Sequence, residues 1–437
     1  MKYANQIKEI INAFSPEPLQ SNQMKDFYCD ETMEFRMSDK YSSPMEDIFD
    51  ICQESGGRKA FLLLGHKGCG KSTELNRLSA QFEAQGYYVK TVVCSKDLDL
   101  FNIVYSDIFI LMGEALLEIA KESGCYLKNG ILEKIAYFWV DGTETYISQD
   151  LAECAIETGV GVETTGILVK VLDLFARLKT DLKFNEETRK EYRKKISVKS
   201  SEWINLLSQI SEQIVKKTGG KQPIIIFEDL DKLNPEDAWN VFYNYAATLS
   251  GMPFPIIYTF PIGLSYDARF AAMESYFITK TLPMIKIETI EGAVYESGVN
   301  VIQKIIEKRA KLELFEDGVL RTLISYTGGS LRDLFHVINA SAKRAERRKS
   351  DVVSSEDAQR ALEELKTSLT RRIEQKDYEF LINICNGSKT LIEDKEMLLK
   401  MLQASVVLEY NGKRWHNVHP LVTQFLSEQG LFGDDRE

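Results

Sequence analysis

Several things are missing from this 437-residue sequence, and each absence narrows its reading. The seven cysteines, at positions 29, 52, 69, 94, 125, 154 and 385, never form Cys-x-x-Cys, and the four histidines do not join them at metal-ligand spacing. This argues against a disulfide framework or a zinc module and for free thiols in a reducing compartment. No apolar run reaches the roughly 18 residues that span a bilayer. The opening residues Met1 to Gln6 lack a signal-peptide core. The expectation is a soluble, cytoplasmic protein with no membrane partner. A basic excess is also lacking. The net charge of −11 argues against a globally basic nucleic-acid binder, although binding follows charge distribution and a local patch is compatible with it. Internal repeats and low-complexity segments are absent as well. What is present, 44% hydrophobic and 27% charged residues, is the composition of a globular chain with a substantial core, and the length favours more than one domain.

The most informative stretch begins with the apolar run Ala60 to Leu64. It leads into Gly65, His66, Lys67, Gly68, Cys69, Gly70, Lys71, Ser72 and Thr73, and a helical pattern follows. This is Gly-x-x-x-x-Gly-Lys-Ser between a strand and a helix, the context that a phosphate-binding loop requires. The glycines let the backbone turn its N–H groups toward phosphate oxygens. Lys71 brings a charge to the β- and γ-phosphates, Ser72 offers a hydroxyl to Mg²⁺, and the helix N-terminus adds its partial positive charge. Cys69 reads as a small loop filler, with oxidation of its thiol as the alternative.

Residues 1–45 form a lead-in in which Ile7, Ile10, Ile11 and Phe14 have helical spacing up to Ser15-Pro16. A helix begins at Met45 and runs toward Gly56-Gly57. Beyond the loop, Ser72 to Ala84 is helical and Tyr87 to Cys94 is a second strand. Strand, helix and strand at this spacing imply a right-handed crossover and a parallel sheet. A long helix follows over 102–122. Residues 125–200 are a helical insert between strands. It contains a glycine-bearing stretch from Thr158 to Gly166 and a charged run from Glu186 to Lys199. That run is either a solvated helix face or a phosphate- or partner-binding patch. Trp203 to Lys217 is amphipathic.

Pro223 to Lys232 is a short apolar, β-branched run ending in Glu228, Asp229 and Asp231. A strand of this kind lies buried in a parallel sheet and carries its carboxylates to the C-terminal edge. One carboxylate can hold the Mg²⁺ shell and the next polarise an attacking water. Either Glu228 holds the shell and Asp229 is the base, or Asp229 holds the shell. Asn234 opens a helix through Leu249. Pro255 to Pro261 is a fourth strand, ending at Thr259, and a fifth lies within 276–287. From Gly292 the pattern is helical, with segments at 299–312, 317–326, 330–348 and 354–373. Two more follow at 380–385 and 394–403. Asn411-Gly412 between two strand-like runs then signals a hairpin, and a last helix starts near Pro420.

The order of these motifs, Gly65–Ser72, Ile224–Asp231, the strand ending at Thr259, and Gly328-Gly329-Ser330-Leu331-Arg332-Asp333, resembles that of AAA+ and STAND-type ATPases. It is similar to their origin-recognition-like and prokaryotic switch branches. The resemblance implies an α/β fold: a P-loop NTPase parallel sheet with flanking helices, then an α-helical lid and a winged-helix-like C-terminal module. The implied division is a lead-in at 1–45, an ATPase core at 46–290 with the insert at 125–200, a lid at 291–370 and the terminal module at 371–437. ATP and Mg²⁺ are the implied cofactors. Thr259 takes the sensor-1 position, Arg332 the lid position that contacts the γ-phosphate, and Arg269 the region of an arginine finger given to a neighbouring subunit. The family pairs Asp-Glu where this chain has Glu228-Asp229. The shorter base predicts slow hydrolysis, as suits a switch. The implied function is a nucleotide-dependent assembly, a homo-oligomer that controls a protein partner, in bacterial defence or signalling. The alternatives are a DNA-binding or DNA-loading ATPase using the C-terminal hairpin with Lys413 and Arg414, and a kinase.

Overall fold

The structure, a computed structural model, describes residues 1–36, 43–54, 59–127, 129–140, 164–410 and 414–432. Gly56-Gly57, most of the Thr158 to Gly166 stretch, the Asn411-Gly412 turn and Lys413 lie outside the described residues.

Five parallel strands form the central sheet: β1 (Ala60–Leu64), β2 (Tyr88–Val93), β3 (Pro223–Glu228), β4 (Ile256–Phe260) and β5 (Ile278–Thr281), in the order β2-β3-β4-β1-β5. The three inner strands are buried along their whole length and the two outer ones are only partly so. This is why β1, β3 and β4 read as unbroken apolar runs: helices cover both faces of a parallel sheet. Side chains still alternate between the faces. Leu62 and Leu64 join the core beneath the helical insert, and Phe61 and Leu63 join the core beneath the helix Lys71–Ala84.

Sheet register sets up the edge where the motifs meet. Leu63 pairs with Thr259 across β1 and β4, and Phe227 pairs with Tyr258 across β3 and β4. The chain leaving β1, the carboxylates leaving β3 and Thr259 thus emerge at one C-terminal edge, the position where open α/β sheets bind ligands. β4 lies between β1 and β3, so the loop and the carboxylates face each other across one strand.

The insert packs its helices Asn129–Val140, Thr164–Phe184 and Glu186–Val198 against Tyr105–Glu122 and Ser200–Lys217. The charged run is more than a solvated face. Arg193 pairs with the buried Asp107 at 2.6 Å, and Arg189 is buried with its guanidinium donating to the Leu182 carbonyl. The region expected as one helix from Asn234 to Leu249 is broken into Pro235–Ala238, a π-type turn at Trp239–Tyr243 and Ala246–Ser250. There Trp239, Val241 and Phe242 are buried together and Phe242 packs edge-on against Tyr258 and Phe260, contacts that a regular 3.6-residue turn spaces differently.

The helices Glu296–Glu307, Val319–Tyr326, Leu331–Arg347 and Ser355–Thr370 form a second core. The lead-in belongs to it, with Ile7, Ile10 and Phe14 packed among these helices. The terminal segment has the helices Tyr378–Cys385 and Lys395–Gln403. The antiparallel pair β6 (Val407–Tyr410) and β7 (Trp415–Val418) follows, then the helix Pro420–Glu428. Among the described residues no helix is long and apolar enough to cross a membrane.

Candidate functional site

Gly70, with φ 101°, caps the helix that starts at Lys71, so the loop turns directly into a helix N-terminus whose N–H groups face the cavity. This cavity, of about 1000 Å³, lies between the C-terminal edge of the sheet, the lid and the lead-in. Of the nine predicted loop residues, Lys67, Gly68, Gly70, Lys71, Ser72 and Thr73 line it. The other three have different surroundings. Gly65 lies against the Leu282 carbonyl and the buried Cys69. His66, 2% exposed, accepts a 2.7 Å hydrogen bond at Nε2 from the backbone N–H of Glu409 in β6.

The loop touches the lid closely. A Cβ on Gly68 (φ +90°) would lie 2.6 Å from the Arg332 Cβ, and one on Gly329 (φ +82°) would lie 1.9 Å from the Ile285 carbonyl oxygen. Only glycine permits these approaches, of the loop to the lid helix at Gly68 and of the lid to the chain that follows β5 at Gly329.

Charge in the cavity is unevenly distributed. Lys71 Nζ lies 2.9 Å from Asp231 Oδ2 and donates to the carbonyls of Gly65 and His66 at 2.8 and 2.9 Å. Burial alone would raise the Asp231 carboxyl, but Lys71 outweighs it and holds the group below its ordinary range. The ammonium of Lys67 is pulled down by burial and by its cationic neighbours Arg332, Lys71 and Arg372, against Asp231. Arg332 lines the cavity, and no carboxylate among the described residues pairs with it. The neighbouring Asp333 faces His419 instead, with 3.8 Å between Oδ2 and Nε2.

Glu228 is buried at the end of β3, close enough to the Ser72 hydroxyl for that hydroxyl to favour its charged form. Burial raises this carboxyl, Ser72 opposes the shift, and Asp229 and Asp231 add to it. Among the described residues no three His, Cys, Asp or Glu side chains form a complete metal cage. A hydroxyl beside one carboxylate nevertheless fits Mg²⁺, which takes its remaining ligands from phosphate and water. Asp229, in a left-handed conformation (φ 71°), also lines the cavity, with its carboxylate bound to the Ser95 hydroxyl and 2.6 Å from Lys232 Nζ. Thr259 donates to the Phe227 carbonyl at 3.3 Å and accepts from the Leu230 N–H at 3.1 Å, so its hydroxyl holds the turn that presents the carboxylates. Arg269 is not brought to the cavity. Its guanidinium binds Asp267, with Nε 3.0 Å from Oδ1, and lies 4.4 Å from the centre of the Trp239 ring.

Sequence reasoning missed three parts. The lead-in roofs the cavity: Leu19 is tied to Thr73 and Asn76 by hydrogen bonds of 3.3 and 2.9 Å, and the Tyr28 hydroxyl donates to the buried Glu74 at 2.9 Å. Asp231, the last of the carboxylates that end the β3 segment, is the partner of Lys71, a pairing across 160 residues that no local pattern marks. The terminal module docks on the site, with Tyr410 Oη donating to the Gly328 carbonyl at 2.7 Å in addition to the Glu409–His66 bond. The first and third of these pair residues tens to hundreds of positions apart, and only polar types at unremarkable spacing mark them in the sequence.

No protein-family model matches the sequence, and no curated protein does. Solved structures that resemble it include Cdc6p from Pyrobaculum aerophilum, at 11% identity over 96% of this chain and 97% of that one, with a TM-score of 0.41. The ADP form of the Aeropyrum pernix ORC2 protein matches at 11% identity over 96% of each chain, with a TM-score of 0.41. The Thermotoga maritima RuvB Holliday junction branch migration motor matches at 10% identity over 88% of this chain and 93% of that one, with a TM-score of 0.34. Likeness at this distance lends no weight to a function. The P-loop fold stands on the strand order and the strand–loop–helix geometry described above.

Proposed function

We propose that this chain is an ATP-binding, slowly hydrolysing switch ATPase that controls a partner through nucleotide-dependent assembly. One observation carries the reading: Lys67, Lys71, Arg332 and Arg372 converge with a helix N-terminus on one cavity, with Asp231 as the counter-charge to Lys71. Cations gathered from loop and lid suit a polyphosphate, which binds through backbone N–H groups and positive charge. The apolar and aromatic residues that also line the cavity, Leu19, Phe27, Tyr28, Leu331 and Phe335, suit a base.

In this reading Lys71 exchanges Asp231 for the β- and γ-phosphates, and Arg332 contacts the γ-phosphate from the lid. Ser72 and Glu228 would hold Mg²⁺, which when bound neutralises charge on the phosphates. Asp229 accepts the proton of the attacking water, and Thr259 fixes the turn that carries it. Asp229 must first leave Ser95 and Lys232, which supports slow turnover. Arg269, away from its own cavity, remains available to a neighbouring copy in a homo-oligomer, at the cost of its contact with Asp267. The terminal module rests on both loop and lid, so exchange at the phosphates reaches it through His66 and Gly328. The partner class we propose, on the resemblance alone, is a protein effector in defence or signalling. The DNA-binding alternative is less well supported, because Arg414 is engaged by Glu409 and Ser265 at 3.1 Å each.

The test measures binding of labelled ATP, phosphate release with and without Mg²⁺, and particle mass with and without ATP and duplex DNA. Bound ATP, slow Mg²⁺-dependent release and a mass increase with ATP are expected. No ATP binding would overturn the reading, and mass change only with DNA would favour the alternative.

A further inference from the structure

Arg309, just beyond the helix Glu296–Glu307, is a buried cation with little to satisfy it. It is 5% exposed and lines the cavity at the end walled by the lead-in. Its Nη1 donates to the Phe27 carbonyl at 3.1 Å and to the Ile305 carbonyl at 3.0 Å. Nε is enclosed and has no acceptor, and no carboxylate among the described residues pairs with the group. The guanidinium lies 4.9 Å from the centre of the Phe335 ring. Burial lowers its affinity for its proton, to a pKa of about 10.

A structural strap between lead-in and lid explains Nη1 alone. A buried guanidinium with unused donors is unfavourable unless something supplies an acceptor. With Nη1 committed and Nε closed off, Nη2 is the donor that a ligand in the cavity can meet. The paired-donor grip that arginine uses on the O6/N7 edge of guanine is therefore closed to it. A single contact remains, to an acceptor common to both purines.

We propose that Arg309 reads the base of the bound nucleotide by donating to purine N7, and so selects purine over pyrimidine nucleotides. This rests on the polyphosphate reading of the same cavity. N7 is a ring nitrogen that adenine and guanine both present and cytosine and uracil lack.

The experiment compares binding of ATP, 7-deaza-ATP and CTP to the full chain by equilibrium titration, with inorganic tripolyphosphate as a base-free competitor. A hydrogen bond from a charged donor corresponds to roughly tenfold in affinity. ATP should bind roughly tenfold more tightly than 7-deaza-ATP and CTP, and in Arg309→Gln the gap should close. Equal binding of ATP and 7-deaza-ATP to the unaltered chain, or an undiminished gap in Arg309→Gln, overturns the proposal. The first comparison needs no variant to fold. Failure of tripolyphosphate to compete would instead strike the polyphosphate reading beneath it.

Discussion

Lys71 Nζ and Asp231 Oδ2 lie 2.9 Å apart, with both side chains more than nine-tenths enclosed. The phosphate-loop lysine is thus held by a carboxylate three positions beyond the end of β3, and a nucleotide must take that lysine from Asp231. Lys71→Ala should abolish ATP binding. It should also destabilise the fold by about 3 kcal/mol, because removing one partner of a buried pair leaves the other charge uncompensated. The double variant Lys71→Ala with Asp231→Ala should recover most of that stability and none of the binding. Urea unfolding and ATP titration of the three proteins check this; tight ATP binding by Lys71→Ala would remove the site assignment.

Asp229→Ala should keep ATP and lose hydrolysis by about 100-fold or more, the scale of a general base. Phosphate release under single-turnover conditions reads it. Undiminished turnover would move the base role to Asp231, which becomes free when Lys71 turns to the phosphates.

His66 links pH to the docked hairpin. Burial pulls its imidazole down to about 4, Glu409 opposes this, and Lys71 and His416 add to the depression. An unfolded histidine titrates near 6.5, so between these values the unfolded chain binds the extra proton. Stability from this group is therefore complete above about pH 6.5 and is lost as pH falls toward 4, by about 3 kcal/mol in all. Protonation also removes the Nε2 lone pair that accepts from the Glu409 N–H. His416 is depressed as well, by burial first, so only the difference between proteins isolates His66. His66→Gln should show a shallower loss of stability between pH 7 and 5 than the unaltered chain. Parallel curves would show that His66 stays out of the titration.

Gly68→Ala adds a Cβ at 2.6 Å from the Arg332 Cβ, on a backbone with φ +90°. The lid must move away from the loop or the loop must distort. Triphosphate affinity should fall by about tenfold or more, with most of the thermal stability kept, since the change lies at a cavity wall and not in the sheet core. Titration and thermal unfolding of Gly68→Ala check this; unchanged affinity would mean that contact between loop and lid is not needed to bind nucleotide.

Much of the fold was legible in the sequence because its determinants are local. The apolar runs of β1, β3 and β4 announce strands, and the capped helix start at Ser354 is visible as residue types at fixed offsets. The broken segment at Trp239–Tyr243 was not legible, because its irregular turn follows from packing against Tyr258 and Phe260.

By itself the sequence determined the phosphate loop, since Gly-x-x-x-x-Gly-Lys-Ser dictates its own backbone, and it placed the strand ending in Glu228 inside a parallel sheet. Tertiary structure alone decided how the carboxylates divide: Glu228 to Ser72, Asp229 to Ser95 and Lys232, Asp231 to Lys71. It also decided that Arg332 stands open in the cavity while Asp333 faces His419, and that the lead-in and hairpin close around the site. The physical reason is range. Backbone turns and apolar periodicity are written in neighbouring residues, whereas the partner of a buried charge is whichever group the folded chain brings within about 3 Å of it.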